Sequence, residues 1–321
     1  MTAQEYITAE LEKLNEPITY ADIGNAPFED AIFAKVMSKK FRKWKADEQT
    51  VSVVRDAIKY AVANNQPLHI GQLFGGYKLW RFDEAPDADW AELFGLIYRA
   101  KWAKSITSVY RLGVDFEFYL QDVSVEYLNN LTRAETDRYA ETFKSAIQLV
   151  NSYLPENIRF TYKRHSEVAD GDVYKAELDA AQEADLAAAG GRLPEMSDEQ
   201  KRTTELNVRL LPDQDKDPQW REKVELQHQS IFSTKSLVPY LTNRTSIACS
   251  AAPFPGYLAI GANKRSIGKF WASVGVLEKS GDSYDMLVLS PKQLAAATFD
   301  WEDVHIEGLS GKNFSNIRVV K

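Results

Sequence analysis

Two stretches decide the fold: Pro67-Leu-His-Ile-Gly-Gln-Leu-Phe74 and Gly113-Val-Asp-Phe-Glu-Phe-Tyr-Leu120. The first is a short apolar run that begins at a proline and is followed by two glycines, which is typical of a buried strand. In the second, apolar side chains alternate with Asp115, Glu117 and Tyr119, the period of two that indicates a strand. Both stretches are therefore predicted to lie in one sheet.

The segments around these two strands alternate between helix and strand. Residues 87–107 carry apolar side chains at helical spacing, and Thr132-Arg-Ala-Glu135 is a capping box at the start of a second helix. Ile158, Phe160 and Tyr162 then alternate as a third strand. A β-α-β-α-β order over residues 67–163 predicts a parallel sheet with right-handed crossovers.

The rest of the chain divides by its patterns. Residues 3–14, 28–44 and 50–63 show helical spacing, whereas residues 172–189 favour helix but offer few large apolar groups. From residue 245 onwards the chain has short alternating runs and glycine-rich turns. We expect an α/β fold with a Rossmann-like parallel core. Its parts would be an N-terminal helical segment (1–66), the α/β core (67–171), a helical insertion or arm (172–218), and a helix plus a strand-rich C-terminal half packed with the core (219–321).

Composition excludes several classes of function. The net charge of −7 disfavours general binding of nucleic acid, since an acidic surface repels phosphate. Cys249 is the single cysteine, so neither an internal disulfide nor a multi-cysteine zinc site can form. The N-terminal residues do not resemble a secretory signal, and no apolar run is long enough for a membrane span. We expect a cytoplasmic protein with neither a nucleic-acid nor a membrane partner.

Candidate site residues follow the ends of the predicted parallel strands, where open α/β sheets bind their ligands. After the first strand, Gly75 and Gly76 would let the backbone approach a ligand, and Lys78 could meet an anion. The alternative is a tight turn with a solvated lysine. After the second strand, Asp122 could bind an ammonium group or act as a base, or it could simply cap a turn.

Two further candidates are cationic. Arg164 and His165 follow the third strand, where they could bind a carboxylate or phosphate and shuttle protons. A surface loop would explain both equally well. A glycine-flanked loop between two later strands could bind phosphate or be a plain basic hairpin; its polar side chains are Lys264, Arg265, Ser266 and Lys269.

Motifs for metals and cofactors are missing from the sequence. The four histidines (His69, His165, His228 and His305) have no metal-ligand spacing, and there is no dinucleotide-binding or nucleophile-elbow motif. The basic loop is not a phosphate-binding P-loop because Phe270 stands where Ser or Thr should follow Gly-Lys. We therefore expect neither a metal nor a cofactor.

The order and spacing of several segments over residues 67–277 resemble the isocyanide (isonitrile) synthases. The similar segments are Gly71-Gln-Leu-Phe74-Gly-Gly-Tyr77-Lys78, Asp89-Trp-Ala-Glu92-Leu93, Ser108-Val-Tyr110-Arg-Leu-Gly113, Asp122 at a strand end, Gln229-Ser230-Ile-Phe232, Thr245-Ser246-Ile247 and Gly268-Lys-Phe-Trp271. The chain departs from the family pattern at the histidines. Ala272 stands in place of the histidine after tryptophan, and the strand histidine falls near Ala248–Ser250.

The resemblance implies an activity and a set of site residues. That family joins an L-amino acid to a pentulose phosphate and converts the amine to an isocyanide. By carry-over, Lys78 and Asp122 would lie in the active site and the basic loop would contact phosphate. We expect an enzyme for an amino-acid-like substrate and an anionic, sugar-phosphate-like co-substrate, with His165 as a third catalytic candidate. The alternative is a non-catalytic binding or regulatory protein with the same fold.

Overall fold

The structure, a computed structural model, describes residues 1–75, 78, 87–234 and 245–321. Within these residues the chain forms ten α-helices and nine strands. The helices are α1 (Ala3–Asn15), α2 (Phe28–Val36), α3 (Glu48–Ala63), α4 (Trp90–Thr107), α5 (Asp122–Asn129), α6 (Arg133–Ser152), α7 (Gly171–Ala188), α8 (Asp198–Asn207), α9 (Trp220–Ser230) and α10 (Pro291–Ala296). The strands are β1 (Leu68–Phe74), β2 (Val114–Leu120), β3 (Ile158–Arg164), β4 (Ser246–Ser250), β5 (Leu258–Ala259), β6 (Val274–Ser280), β7 (Ser283–Leu289), β8 (Phe299–Asp303) and β9 (Asn316–Val320).

The predicted α/β fold with a parallel core is confirmed. Five strands form an all-parallel sheet in the order β3-β2-β1-β4-β5. Phe74, Leu120 and Arg164 are paired in register, so the first three strands end at one level. The chain adds β2 and β3 on one side of β1 but places β4 and β5 on the other. The C-terminal edge between β1 and β4 is therefore a topological switch point, the usual place for a ligand.

The strand-rich C-terminal half forms a second, mixed sheet in the order β7-β6-β9-β8. Strands β6 and β7 form an antiparallel hairpin, whereas β6 pairs with β9 in parallel. One of the short alternating runs after residue 245 covers residues 304–309, but these residues form a loop with a turn, and Phe299–Asp303 before them pairs with β9 instead. Val304 and Ile306 are buried in this loop. Their burial explains why apolar residues alternate here although these residues are not in a strand.

Helix α4 lies between the two sheets and is buried almost throughout its length. It contacts β2 and β3 of the parallel sheet and β6 and β7 of the mixed sheet. The approach of β6 is so close that a Cβ atom on Gly275 would lie 2.3 Å from the backbone nitrogen of Ala91. Gly95 gives similar access to Phe270, whose ring would lie 2.9 Å from an added Cβ. Glycine at these two positions lets strand β6 and the ring of Phe270 pack directly against α4.

The N-terminal helices pack against both sheets, with α3 on β1 and β4 of the parallel sheet. Helix α1 contacts β7 and β8, and its first backbone amide, that of Ala3, donates to Glu302 at 3.1 Å. The helical pattern suggested that α2 would continue to residue 44, but the helix ends at Val36. Phe41 instead turns into the core, and Arg42 forms a bridge with Ile260 beside β5. Part of the segment that looked helical thus contacts the chain next to β5 through this single bridge.

The segment predicted as a helical insertion or arm contains α7 and α8. Helix α7 is mostly exposed, as its composition suggested, yet it buries Tyr174 and Leu178 completely. It packs against α5 and α9, so it is tied to the C-terminal end of the parallel sheet. None of the described helices is long and apolar enough to cross a membrane.

Replacing Gly113, the residue before β2, should destabilise the fold strongly. Gly113 has a φ of +85°, and an added Cβ would lie 1.6 Å from the carbonyl oxygen of Asn157. We expect Gly113→Ala to lower the free energy of unfolding by about 3 kcal/mol or more, because strain and a backbone clash add up. Gly190→Ala is the matched control: its φ is +66° but its Cβ position is open, so a loss of only about 1 kcal/mol is expected. Equal losses in chemical denaturation would contradict the clash.

Candidate functional site

A cavity of about 900 Å³ opens at the C-terminal edge of the parallel sheet. Leu73 near the end of β1, Gln121 just after β2, and Cys249 and Ser250 at the end of β4 form its floor. These positions flank the switch point between β1 and β4. The volume falls within the range of small-molecule sites, which are usually found at this place in such sheets.

The walls come from four later elements. They are α8, α9, the loop before β6 and the start of α10, with one contribution from the end of α5. The polar and charged lining residues include Asn129, Glu199, Gln200, Thr203, Thr204, Asn207, Glu225, His228, Gln229, Arg265, Ser266, Lys269, Ser273, Ser290, Lys292 and Gln293. Apolar contacts come from Ile231, Phe232, Phe254 and Trp271, among others. This mixture suits a polar ligand with an apolar part.

Helix α8 turns a polar face towards the cavity. Gln200, Thr203, Thr204 and Asn207 recur at the spacing of one helix face, and all four line the cavity. Helices normally dock through an apolar stripe, so this face is unusual. Ion pairs to α9 hold the helix from its other side, including Lys201–Glu222 at 2.9 Å. The spacing of these polar residues is visible in the sequence, although sequence reasoning assigned no role to them.

Two buried amides join α8 to the end of α5. Asn129 Nδ2 donates to the carbonyl oxygen of Asn207 at 2.9 Å, and Asn207 Nδ2 donates to that of Thr203 at 2.8 Å. These donors fix the orientation of both amides. Their oxygens, Oδ1 in each case, have no hydrogen-bond partner among the described residues. Both oxygens are enclosed by protein atoms and are not open to the cavity, so these amides serve to join the two helices.

The cavity wall holds a cluster of titratable groups, namely Lys269, Glu225 and His228. The last two lie three residues apart on α9, on one helix face. The Lys269 side chain is exposed and lines the cavity. The surrounding protein lowers the pKa of its ammonium by desolvation, whereas the negative charge of Glu225 raises that pKa. Burial lowers the pKa of His228 to about 3, with repulsion from Lys269 as a second cause. The imidazole is therefore neutral at pH 7.

The rest of the predicted phosphate loop is tied into the protein. Arg265 pairs with Glu278 and with Asp285, the second at 3.3 Å. Ser266 is buried, and its Oγ accepts a hydrogen bond from the Val288 amide at 2.9 Å. The structure brings Arg265, Ser266 and Lys269 to the cavity, whereas Lys264 is exposed and lies outside the lining.

Lys78 lies in a fully buried ion pair, not in a solvated turn. Its ammonium contacts Asp89 at 2.8 Å and also contacts Glu92, and these two residues form the capping box of α4. Tyr139 donates a further hydrogen bond to Glu92 at 3.0 Å. Burial raises the pKa of Glu92 while Lys78 opposes that change. Lys78 is outside the cavity lining. Its positive charge balances the carboxylates of Asp89 and Glu92 at the start of α4.

Asp122 is also fully buried and is the first residue of α5. Its carboxylate accepts hydrogen bonds from Arg164 Nε at 2.9 Å, from the Ser166 amide at 3.0 Å and from Arg133 Nη1 at 3.2 Å. Burial alone would raise its pKa, but the hydrogen bonds from Ser166 and Arg164 outweigh burial and lower it. The group is thus a firmly held carboxylate next to Gln121, which does line the cavity.

His165 lies one residue beyond β3 and is buried under α7. Its ring packs edge-on against Tyr174, with 4.0 Å between the ring centroids. Neither ring nitrogen has a hydrogen-bond partner among the described residues. Burial lowers the pKa of His165 to about 4, although Asp122 and Glu177 oppose the change. A neutral imidazole is therefore held between the α5 and α7 helices.

The candidates thus separate into three places. Asp122, Arg164 and His165 lie together at the ends of β2 and β3, Lys78 lies at the start of α4, and part of the basic loop lines the cavity. Gly75 is buried after β1 and does not line the cavity, and Gly76 lies outside the described residues. The catalytic roles suggested for Lys78, Asp122 and His165 stay predictions. No group of three or more His, Cys, Asp or Glu side chains within the described ranges is arranged to hold a metal ion.

Asp122→Asn should destabilise the protein by about 3 kcal/mol, because Arg164 would lose its buried counter-charge. Asp137→Asn is the control, since Asp137 also pairs with Arg164, at 2.5 Å, but is half exposed. We expect a loss below about 1 kcal/mol for this control. Urea unfolding of both variants at pH 7 measures the difference. A small effect at Asp122 would contradict the structural role described for its carboxylate.

The buried histidine should make the protein sensitive to acid. Unfolded His165 takes up a proton near its ordinary pKa of 6.5, whereas the folded protein resists protonation until about pH 4. Stability should therefore fall as the pH drops from about 6.5 to 4, by up to roughly 3 kcal/mol from this residue. His165→Phe should reduce the slope of unfolding free energy against pH in that window, leaving the contribution of His228, whose pKa is also lowered. His305→Phe on the surface should leave the slope unchanged. An unchanged slope in His165→Phe would contradict the burial argument.

Comparison with known proteins gives a likeness of fold. No family model matches the chain, and no curated protein matches it either. Among solved structures, the crystal structure of the PvcA protein from Pseudomonas aeruginosa matches with a TM-score of 0.56 and 15% sequence identity. The match covers 92% of this chain and 100% of that one. The chain is therefore similar to PvcA in its α/β fold.

Proposed function

We propose that this protein is a small-molecule biosynthetic enzyme similar to the isocyanide synthases. It would act on an amino-acid-like substrate together with an anionic, sugar-phosphate-like co-substrate. The observation that carries the proposal is the 900 Å³ cavity at the switch point of the parallel sheet. The likeness of fold to PvcA and the sequence segments that resemble the synthases support it.

The chemistry of the cavity wall fits such substrates. Lys269 offers an ammonium group to an anion, and Arg265 and Lys292 add positive charge at the cavity wall. Gln200 and Thr203 on α8 offer amide and hydroxyl groups that can form hydrogen bonds with a ligand. Trp271 and Phe232 provide an apolar surface for a side chain. Together these groups suit a ligand that carries both charge and hydrogen-bond donors.

The buried clusters take supporting roles in this proposal. Asp122 with Arg164 fixes the end of β2 and thereby places Gln121 in the cavity floor. Lys78 fixes the first turn of α4. Turnover that persists in Asp122→Ala would remove Asp122 as a general base and leave it a positioning residue. His165 stays a catalytic candidate only if an activity assay shows a loss beyond its effect on stability.

A non-catalytic binding or regulatory protein is the second candidate. One observation favours it: Ala272, in place of the family's histidine after tryptophan, lines the cavity, and so do Cys249 and Ser250 of the stretch near which the strand histidine falls. The cavity thus presents small side chains where the family pattern has imidazoles. Against it stands His228, an imidazole in the same cavity wall. Binding without turnover in the presence of both substrate classes would favour this second candidate.

Ligand binding can be tested by thermal shift with L-amino acids and with sugar phosphates such as ribulose 5-phosphate. A ligand present at 100 times its Kd stabilises the folded state by about 2.7 kcal/mol and raises the Tm accordingly. Thr203→Trp should abolish the shift because Thr203 lines the cavity. Arg202→Trp, on the same helix but 67% exposed and outside the cavity, should retain it. No shift with any of these ligands, or equal shifts in both variants, would contradict the proposed site.

A further inference from the structure

Arg99 is the one arginine that is buried among the described residues. It lies in the middle of α4 and is 1% exposed. Its Nε donates to Gln72 Oε1 at 2.6 Å, and its Nη1 donates to the carbonyl oxygen of Gly95 at 3.1 Å. Burial lowers the pKa of Arg99 to about 10, which leaves the guanidinium charged at pH 7. The interior of the protein therefore holds a full positive charge at this position.

The other buried Lys, Asp and Glu side chains of the described ranges all have a partner of opposite charge. The pairs are Lys78 with Asp89 and Glu92, Asp122 with Arg164, Glu10 with Lys101, Asp87 with Arg138, and Glu135 with Arg209. Arg99 differs, because no carboxylate in the described part of the chain forms an ion pair with it. An unpaired buried charge destabilises a protein, so Arg99 points to a counter-charge that the chain itself does not supply.

The guanidinium lies directly behind the cavity floor. Gln72 is paired in register with Cys249 of the neighbouring strand, so the two side chains lie on the same face of the sheet. Cys249 lines the cavity. On the other side, the guanidinium carbon lies 4.8 Å from the centre of the Phe270 ring, and that ring packs edge-on against Trp271, a second cavity residue. Cys249 and Trp271 thus form the part of the cavity surface next to Arg99.

The field of this charge reaches the cavity floor. Burial raises the pKa of the Cys249 thiol to about 12, and the positive charge of Arg99 opposes that rise. Little water separates the two groups, since both side chains are 1% exposed. In such surroundings a charge is screened far less than on the surface, so it attracts an opposite charge over more than one layer of side chains.

We propose that Arg99 is a positioning residue whose charge draws the carboxylate of the ligand to the cavity floor, next to Cys249 and Trp271. A carboxylate carries one negative charge, which a single guanidinium balances. A phosphate monoester carries about −1.5 to −2 at pH 7 and suits the exposed cations of the wall, Lys269 and Lys292. The inference rests on the proposed function in taking this cavity as the binding site, and it adds which end of an amino-acid-like substrate lies deepest.

Pairs of ligands that differ only in their carboxylate test the proposal. The probes are 3-phenylpropanoate and L-phenylalanine, and their counterparts are 3-phenylpropanamide and L-phenylalaninamide. Dissociation constants are measured by calorimetry at pH 7 with the full chain. The unmodified protein should bind each acid more tightly than its amide. For charges about 8 Å apart and an effective dielectric constant of about 20, the preference should be about 30-fold.

Three variants separate charge from packing. Arg99→Met should abolish the preference for the acids, because its charge is lost, and Arg99→Lys should retain most of it. Lys101→Met is the matched control: it removes a cation from the same helix, but Lys101 pairs with Glu10 and lies outside the cavity lining. Loss of packing alone would weaken acid and amide alike. A preference that survives in Arg99→Met, or an unmodified protein that binds neither acid more tightly than its amide, would overturn the proposal.

A second measurement needs neither a ligand nor a change at Arg99. Cys249→Asp and Cys249→Asn place side chains of equal size at the floor, and burial of an ionised Asp normally costs more free energy than burial of an Asn. Here Arg99 would provide the counter-charge. Urea unfolding at pH 7 should therefore show that Cys249→Asp is at least as stable as Cys249→Asn. A clearly less stable Cys249→Asp would contradict a charge that is open to pairing at the floor.

The result is separable from the fate of the proposed function. A preference for 3-phenylpropanoate that is lost in Arg99→Met, in a protein whose Tm responds to no amino acid or sugar phosphate, would support the role of Arg99 and overturn the proposed substrates. Thermal shifts with amino acids that are equally large in the unmodified protein and in Arg99→Met would keep the proposed function and overturn the role of Arg99.

Discussion

The burial of α4 between the parallel and the mixed sheet is the constraint on which the rest of the structure depends. A helix buried on nearly all sides cannot shift without disturbing both sheets. Its first turn is fixed by the ion pair with Lys78, and its middle is fixed by Arg99, which donates to Gln72 at 2.6 Å. Through Gly95 and Phe270 the same helix positions the loop that carries Lys269. The architecture of the core thereby determines the geometry of the cavity wall.

Charged groups in this protein serve two distinct purposes. Lys78 and Asp122 have lost their water but gained opposite charges and hydrogen bonds, and such groups stabilise position at the cost of reactivity. Lys269, by contrast, is exposed and lines the cavity wall together with Glu225. The first kind of charge holds the fold together, and the second faces the space where a ligand would bind.

The sequence predicted the parallel sheet well because the period of two in β2 and β3, and the short apolar run of β1, are local signals. It also located Lys78 and Asp122 correctly at strand ends. It could not show that Asp89 and Glu92 would enclose Lys78, since this depends on how α4 returns to the sheet. Glu225 and His228 were overlooked because α9 shows no motif. Their part in the cavity arises only when α8 and α9 pack over the switch point.

The contact between α1 and the mixed sheet has a consequence for biosynthesis on the ribosome. Ala3 donates to Glu302, a partner 299 residues later in the chain. At about 5–20 residues per second, translation needs roughly 15–60 s to deliver that partner. During this interval α1 lacks its contacts with β7 and β8, whereas α4, which it also contacts, emerges within the first third of the chain. Helix α1 can therefore dock on α4 first and acquire the mixed sheet last.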